Sequence, residues 1–171
     1  ASATPSPAPS TSATALPPDS RATDAAIPWV VYQSPDVLRL IHPVSGTSRP
    51  RRVLPNGPFG ARHPDWSPDG ARLAFTVDDA DGTRDVWTSD WDGSNAAVLV
   101  DCRVPCRDAD SPAWSPDGTR IAFHRIDNVD GRNPGSSLQV VDIATRAITT
   151  LASTTGAEYA MAARWSPDGR S

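Results

Sequence analysis

Three histidines, two cysteines and two Asp-rich clusters are the residues of this chain whose chemistry could reach beyond packing. His42, His63 and His124 lie in separate stretches; His63 precedes Pro64-Asp65-Trp66 and His124 follows Phe123. Each reads as a strand-end residue, and the three could converge only through the closure of a larger fold. There is no Gly-x-Ser-x-Gly elbow, no His-Glu-x-x-His and no phosphate-binding glycine loop, so no nucleophile, metal or cofactor chemistry is signalled. The chain is therefore expected not to be an enzyme, with no catalytic residue, no metal and no cofactor. Cys102 and Cys106 form a Cys-x3-Cys pair. A disulfide is favoured if the chain is exported. Free thiols are the alternative, and a metal centre would need about four ligands.

The Asp-rich clusters are Asp78-Asp79-Ala80-Asp81-Gly82 and Asp127-Asn128-Val129-Asp130-Gly131-Arg132-Asn133. Asp, Asn and Gly are ordinary turn residues. Neither cluster carries the full calcium-loop pattern with its terminal Glu. Their functional alternative is Ca2+ binding or an acidic rim that meets a cationic partner. Asp78, Asp79, Asp81, Asp127, Asn128, Asp130 and Asn133 are thus candidate partner-binding residues, with Trp91 as an exposed aromatic contact beside Trp87.

Formal charge is −4, all sixteen cations are Arg, and Glu158 is the only glutamate. An acidic chain without a basic stripe argues against a nucleic-acid partner. The basic cluster Arg49, Arg51 and Arg52 reads as a solvated edge strand, with an anion or partner contact as the alternative.

The elements that must position these residues announce themselves by repetition. Trp-Ser-Pro-Asp-Gly occurs at 66–70, 114–118 and 165–169, so the tryptophans are 48 and 51 residues apart. Periods of this size belong to propellers and related arrays. Pro68, Pro116 and Pro167 preset φ, Asp69, Asp117 and Asp168 suit the next position, and Gly70, Gly118 and Gly169 tolerate positive φ, which makes each copy a tight turn. The strands that follow alternate, with Leu73 and Phe75 on one face and Ile121 and Phe123 likewise. Trp66, Trp114 and Trp165 are expected to pack between blades, because a buried indole carries large apolar area. Further strand patterns complete units at about 28–54, 64–100 and 112–151, with another unit starting at 164–171. No stretch has a helical apolar period. The fold class is therefore all-β: a β-propeller of four-stranded blades.

The run Pro-x-Trp-Ser-Pro-Asp-Gly-x-x-Ile/Leu-Ala-Phe, close at 64–75 and 112–123 and partial at 164–170, resembles the repeat of TolB-like propellers, a WD-repeat-like family. The resemblance implies a ring of six blades, of which residues 27–171 supply about three, so the missing blades and a longer parent protein are expected. It also implies a non-catalytic binding or scaffold module. The same repeat occurs in the substrate-gating propellers of prolyl-oligopeptidase-like serine peptidases and in extracellular sensors, and these stand as alternatives.

Residues 1–26 are rich in Pro, Ala, Ser and Thr with almost no bulky apolar side chain. Such a segment cannot offset its ordering entropy and reads as a disordered tether. Its composition resembles the linkers of exported bacterial proteins. The sequence contains no membrane span. A periplasmic, cell-envelope or extracellular location and a protein or envelope-polymer partner are the resulting expectations.

Overall fold

The computed structural model describes residues 29–34, 37–41, 46, 60–128, 135–155 and 162–169, together with the backbone of 48–51. The expected tether, His42, Arg52, Asp130 and Asn133 lie outside the described residues. Eleven strands and no helix occur among those described, so none of them belongs to a helix long and apolar enough to cross a membrane.

Strands β1 (Val30–Ser34), β2 (Val37–Ile41) and β3 (Ser48–Arg51) form one antiparallel sheet in that order; Arg49 and Arg51 stand on its last strand. A four-stranded meander follows: β4 (Ala61–Trp66), β5 (Arg72–Asp78), β6 (Arg84–Asp90) and β7 (Ala97–Val100). A second meander repeats it with β8 (Cys106–Trp114), β9 (Arg120–Asp127), β10 (Gly135–Asp142) and β11 (Ile148–Thr155). The two meanders meet at a single parallel bridge, Arg84 to Asp108. These are the four-stranded blades that the repeat spacing predicts, and the described residues form an incomplete β-propeller.

The alternation of β5 explains how blades stack. Leu73, Phe75 and Val77 face the first sheet and pack with Leu38 and Ala61. Ala74, on the opposite face, packs with Ile121 and Phe123 of the next blade. Each of the two blades thus presents large side chains backward, and the second presents a small one forward, which lets the sheets approach without a void. Phe75 and Phe123 have no exposed surface; each contributes roughly 2–3 kcal/mol by burial.

The repeated turns hold themselves with one hydrogen-bond pattern. Ser67 Oγ donates to Asp69 Oδ1 (2.6 Å), Gly70 N–H to Ser67 O (2.8 Å) and Arg72 N–H to Ser67 Oγ (2.8 Å). Ser115, Asp117, Gly118 and Arg120 repeat all three contacts, and Ser166, Asp168 and Gly169 repeat the first two. The Ser115 hydroxyl and the Thr119 amide lower the Asp117 carboxyl to about 2. Gly70, Gly118 and Gly169 have φ of +68°, +71° and +65°.

Successive turns also nest. A Cβ on Gly118 would lie 3.7 Å from Pro68 Cδ, and one on Gly169 the same distance from Pro116. Trp114 is buried and Trp165 half-buried; Trp165 Nε1 donates to Ala113 O (3.0 Å). The Trp114 amide donates to Asp65 Oδ2 of the preceding blade (2.7 Å).

Candidate functional site

The first strand of each meander is interrupted three residues before its Trp. Register shifts fall between Arg62 and Asp65 in β4 and between Asp110 and Ala113 in β8. At these points His63 (φ +50°) and Ser111 (φ +54°) adopt the left-handed conformation, and Ala162 (φ +49°) does so at the equivalent position before Trp165. Non-glycine residues rarely take that conformation. Here it recurs at one repeat position, and in β4 and β8 it accompanies a bulge that re-aims a side chain. All three residues line a single cavity of about 420 Å³, together with Arg84, Asp108, Asp110 and His124. That volume suits a small ligand.

Asp110 is the hub of this cavity. Its Oδ1 accepts from His63 Nδ1 (2.7 Å), Thr76 Oγ1 (2.8 Å) and the Ser111 amide (2.6 Å). Its Oδ2 faces Arg84 (3.4 Å). Burial penalises the charge, but the hydrogen bonds from His63 and Thr76 outweigh it and hold the carboxyl far below its ordinary value. Arg84 Nε also donates to Asp78 Oδ1 (3.1 Å), and Arg107 clasps Asp108 Oδ2 through Nε (2.9 Å) and Nη2 (2.7 Å). The network joins two blades, since Thr76 and Arg84 come from the second and Asp108 and Asp110 from the third.

His124 sits one strand behind Asp110, which it faces across the β8–β9 ladder. It is 6% exposed, and its Nε2 is buried without a hydrogen-bond partner. Burial pushes the imidazole below its ordinary value, against the opposing pull of Asp110 and Asp108. His124 is therefore a neutral side chain at neutral pH.

Ser111, His63 and Asp110 share a cluster, yet they do not form a relay. Asp110 and Ser111 both approach the same ring nitrogen, His63 Nδ1, at 2.7 and 3.5 Å. A serine nucleophile needs the base's other nitrogen, with the carboxylate on the far side of the ring. The arrangement positions His63; it does not activate Ser111. Among the described residues no group of three or more His, Cys, Asp or Glu side chains could hold a metal ion.

The described acidic-loop candidates have partners within the chain. Asp78 is ion-paired to Arg62 and Arg84, so it anchors β5 to its neighbours. Asp79 accepts from the Ala80 amide (2.6 Å) and Asp81 from the Thr83 hydroxyl (2.6 Å) and amide (2.9 Å), which is turn chemistry. Asp127 pairs with Arg125 (2.7 Å), and the Asn128 amide donates to Pro105 O (2.7 Å). Trp91 is half-buried, where exposure was expected. It also lies at the opposite end of the blade from the Asp78 loop: antiparallel pairing sets Arg72 against Asp90 and Asp78 against Arg84, and the Trp91 amide bonds Ala71 O (2.8 Å). Trp87 is half-buried within β6 and packs against the core.

Cys102 and Cys106 form a disulfide, with both residues buried. The Cys102 amide donates to the buried Asp85 carboxylate (2.8 Å).

Sequence reasoning missed the convergence of His63 and His124, and missed Arg84 altogether. The signal was present in the repeats: His63 matches Ser111, and His124 matches Thr76, once the copies are superposed on their tryptophans.

No family model and no curated protein matches this sequence. Solved structures do resemble it. A protein assigned as TolB from Agrobacterium tumefaciens superposes with a TM-score of 0.66 at 25% identity, over 82% of this chain and 51% of that one. TolB from Acinetobacter baumannii gives 0.61 at 20% identity, over 85% and 36%. A puromycin-hydrolyzing peptidase of Mycobacterium tuberculosis gives 0.59 at 21%, over 74% and 21%. This chain spans about half the length of the first and about a third of the second. The fold they share with it is the TolB-like propeller, here in the form of a sector of blades.

Proposed function

We propose that this chain is part of a non-catalytic binding module that holds a protein or an envelope polymer. The observation that carries the reading is the shared use of His63 Nδ1 by Asp110 and Ser111: the polar cluster has the fixed geometry of a recognition site and lacks the two-sided geometry of a nucleophile. The pocket between the two blades is the contact site in this reading, ahead of the Asp78 and Asp127 loops, whose carboxylates are engaged internally. The TolB-like neighbours support a propeller that binds. The Cys102–Cys106 disulfide supports an oxidising compartment, such as the periplasm or the cell exterior.

The alternative is the gating propeller of a serine peptidase, favoured by the peptidase likeness, which concerns the fold alone. A pair of measurements on the full chain separates the two. Photo-crosslinking with benzoylphenylalanine at Ala162 is expected to capture an envelope component, and the same group at Asp81 is not. Capture from Asp81 alone would move the site to the loops. Labelling of Ser111 by a fluorophosphonate would overturn the non-catalytic reading.

A further inference from the structure

One oxygen of each pocket carboxylate is saturated and the other faces Arg84, Asp110 Oδ2 at 3.4 Å and Asp108 Oδ1 at 3.7 Å, whereas several nitrogens have no such partner. Asp110 Oδ1 takes three donors, more than the two lone pairs of a carboxylate oxygen supply. Asp108 Oδ2 takes two from Arg107. What remains open is nitrogen. His124 Nε2 is buried and unpartnered. His63 donates Nδ1–H to Asp110, so Nε2 of this half-exposed ring is a further donor in the doubly protonated imidazolium, the form that a bound anion favours. Arg164 lines the cavity and donates to Ala163 O (3.0 Å); the carboxylate it acts on among the described residues is Asp65, without a close ion pair between them. In the tautomer that carries its proton on Nε2, His124 holds a buried donor without a partner, which is costly; a ligand that completes this site then brings acceptor oxygens, and Arg164 favours negative charge on them.

The rest of the wall narrows the class. Pro64, Pro112, Ile126 and Ala162 are aliphatic, and no Phe, Tyr or Trp is among the described lining residues. Sugar rings are usually held against an aromatic face. An aliphatic side chain beside a carboxylate is the end of a peptide. We infer that this pocket captures the free C-terminal carboxylate of a peptide whose last side chain is aliphatic, with Arg164 supplying the charge, His63 Nε2 a second contact and His124 Nε2 the buried hydrogen bond. Terminal-carboxylate capture is an established mode of peptide recognition. The inference rests on the binding-module reading and names the partner chemistry of the same site.

The test is calorimetric titration of the full chain with N-acetyl-Ala-Leu, with its C-terminal amide and with sodium galacturonate. The acid is expected to bind at least tenfold more tightly than the amide, and to move the ¹⁵Nε2 resonance of His124. Arg164→Gln, on the exposed rim, should abolish the preference for acid over amide. His124→Asn should weaken the acid by a similar factor, and Arg164→Gln keeps the test decisive if His124→Asn does not fold. Equal binding of acid and amide, an acid preference that survives Arg164→Gln, tighter binding of galacturonate, or binding of none of the three would each overturn the inference. The crosslinking from Ala162 stands apart from these results, so a binding module for another ligand would still be recognised as one.

Discussion

The guanidinium of Arg72, in the second blade, lies 4.8 Å from the centroid of the Trp114 ring in the third. Arg120 repeats the contact on Trp165 at 5.0 Å. Each Arg follows its own repeat's Trp by six residues and covers the Trp of the next repeat. Arg72→Ala is expected to lower stability by about 1 kcal/mol, the scale of a partly exposed cation–π contact, with Arg72→Lys losing less. Urea unfolding followed by tryptophan fluorescence measures both, and an unchanged midpoint in Arg72→Ala would remove the stack from the list of blade contacts.

Asp110 ties two blades through buried donors, so its loss should exceed that of any surface carboxylate. Asp110→Asn is expected to cost about 2 kcal/mol, since the hydrogen bonds from His63, Thr76 and the Ser111 amide lose their charged acceptor while Arg84 keeps Asp78 and Asp108. The carboxyl is held below its ordinary value in the folded chain. Its stabilisation is therefore complete above the ordinary carboxylate range and is lost as pH falls through the folded value. Acid titration of stability should be shallower in Asp110→Asn than in wild type; parallel curves would refute the linkage.

His124 acts in the opposite charge sense and in a higher pH window. Its folded value is lowered by burial, so the unfolded chain takes up the proton first. Stability is full above the unfolded value of about 6.5 and falls as pH drops below it. Denaturant midpoints measured from pH 8 to pH 5 should decline in wild type and flatten over this window in His124→Gln.

Gly118 has room for a methyl group, 3.7 Å from Pro68 Cδ, but a φ of +71°. Gly118→Ala should cost about 1 kcal/mol from backbone conformation alone, and Gly118→Asn less. Calorimetric Tm values check the order, and an Ala variant as stable as wild type would contradict it.

The Cys102–Cys106 bridge closes a five-residue loop, for which chain entropy gives about 2 kcal/mol. Unfolding with and without dithiothreitol should differ by about that amount or less, and alkylation of the native chain should find no free thiol.

The turns and the blades were legible because their chemistry is local. Ser67, Pro68, Asp69 and Gly70 close a turn among themselves, and Leu73 and Phe75 declare a face by alternation. The pocket was not legible in the same way. His63 meets Asp110 across 47 residues, and its left-handed backbone belongs to a residue type that gives no local warning. Asp78 read as part of a turn or an acidic rim, and its ion pair was not legible because its partner Arg62 sits on another strand, sixteen residues earlier. Trp91 read as exposed because it lies in a turn; the structure keeps it in that turn but half-buried, with its amide bonded to Ala71 O twenty residues earlier.

His63, Ser111 and Ala162 occupy one repeat position and share one backbone conformation, yet they have nothing chemically in common. The bulge fixes where a side chain is delivered and leaves its identity unconstrained by the packing of Phe75 or Phe123. Such a scaffold behaves like a row of interchangeable slots. Duplicating a blade adds a slot, and a single codon change rewrites its content while the interior of every sheet stays as it was.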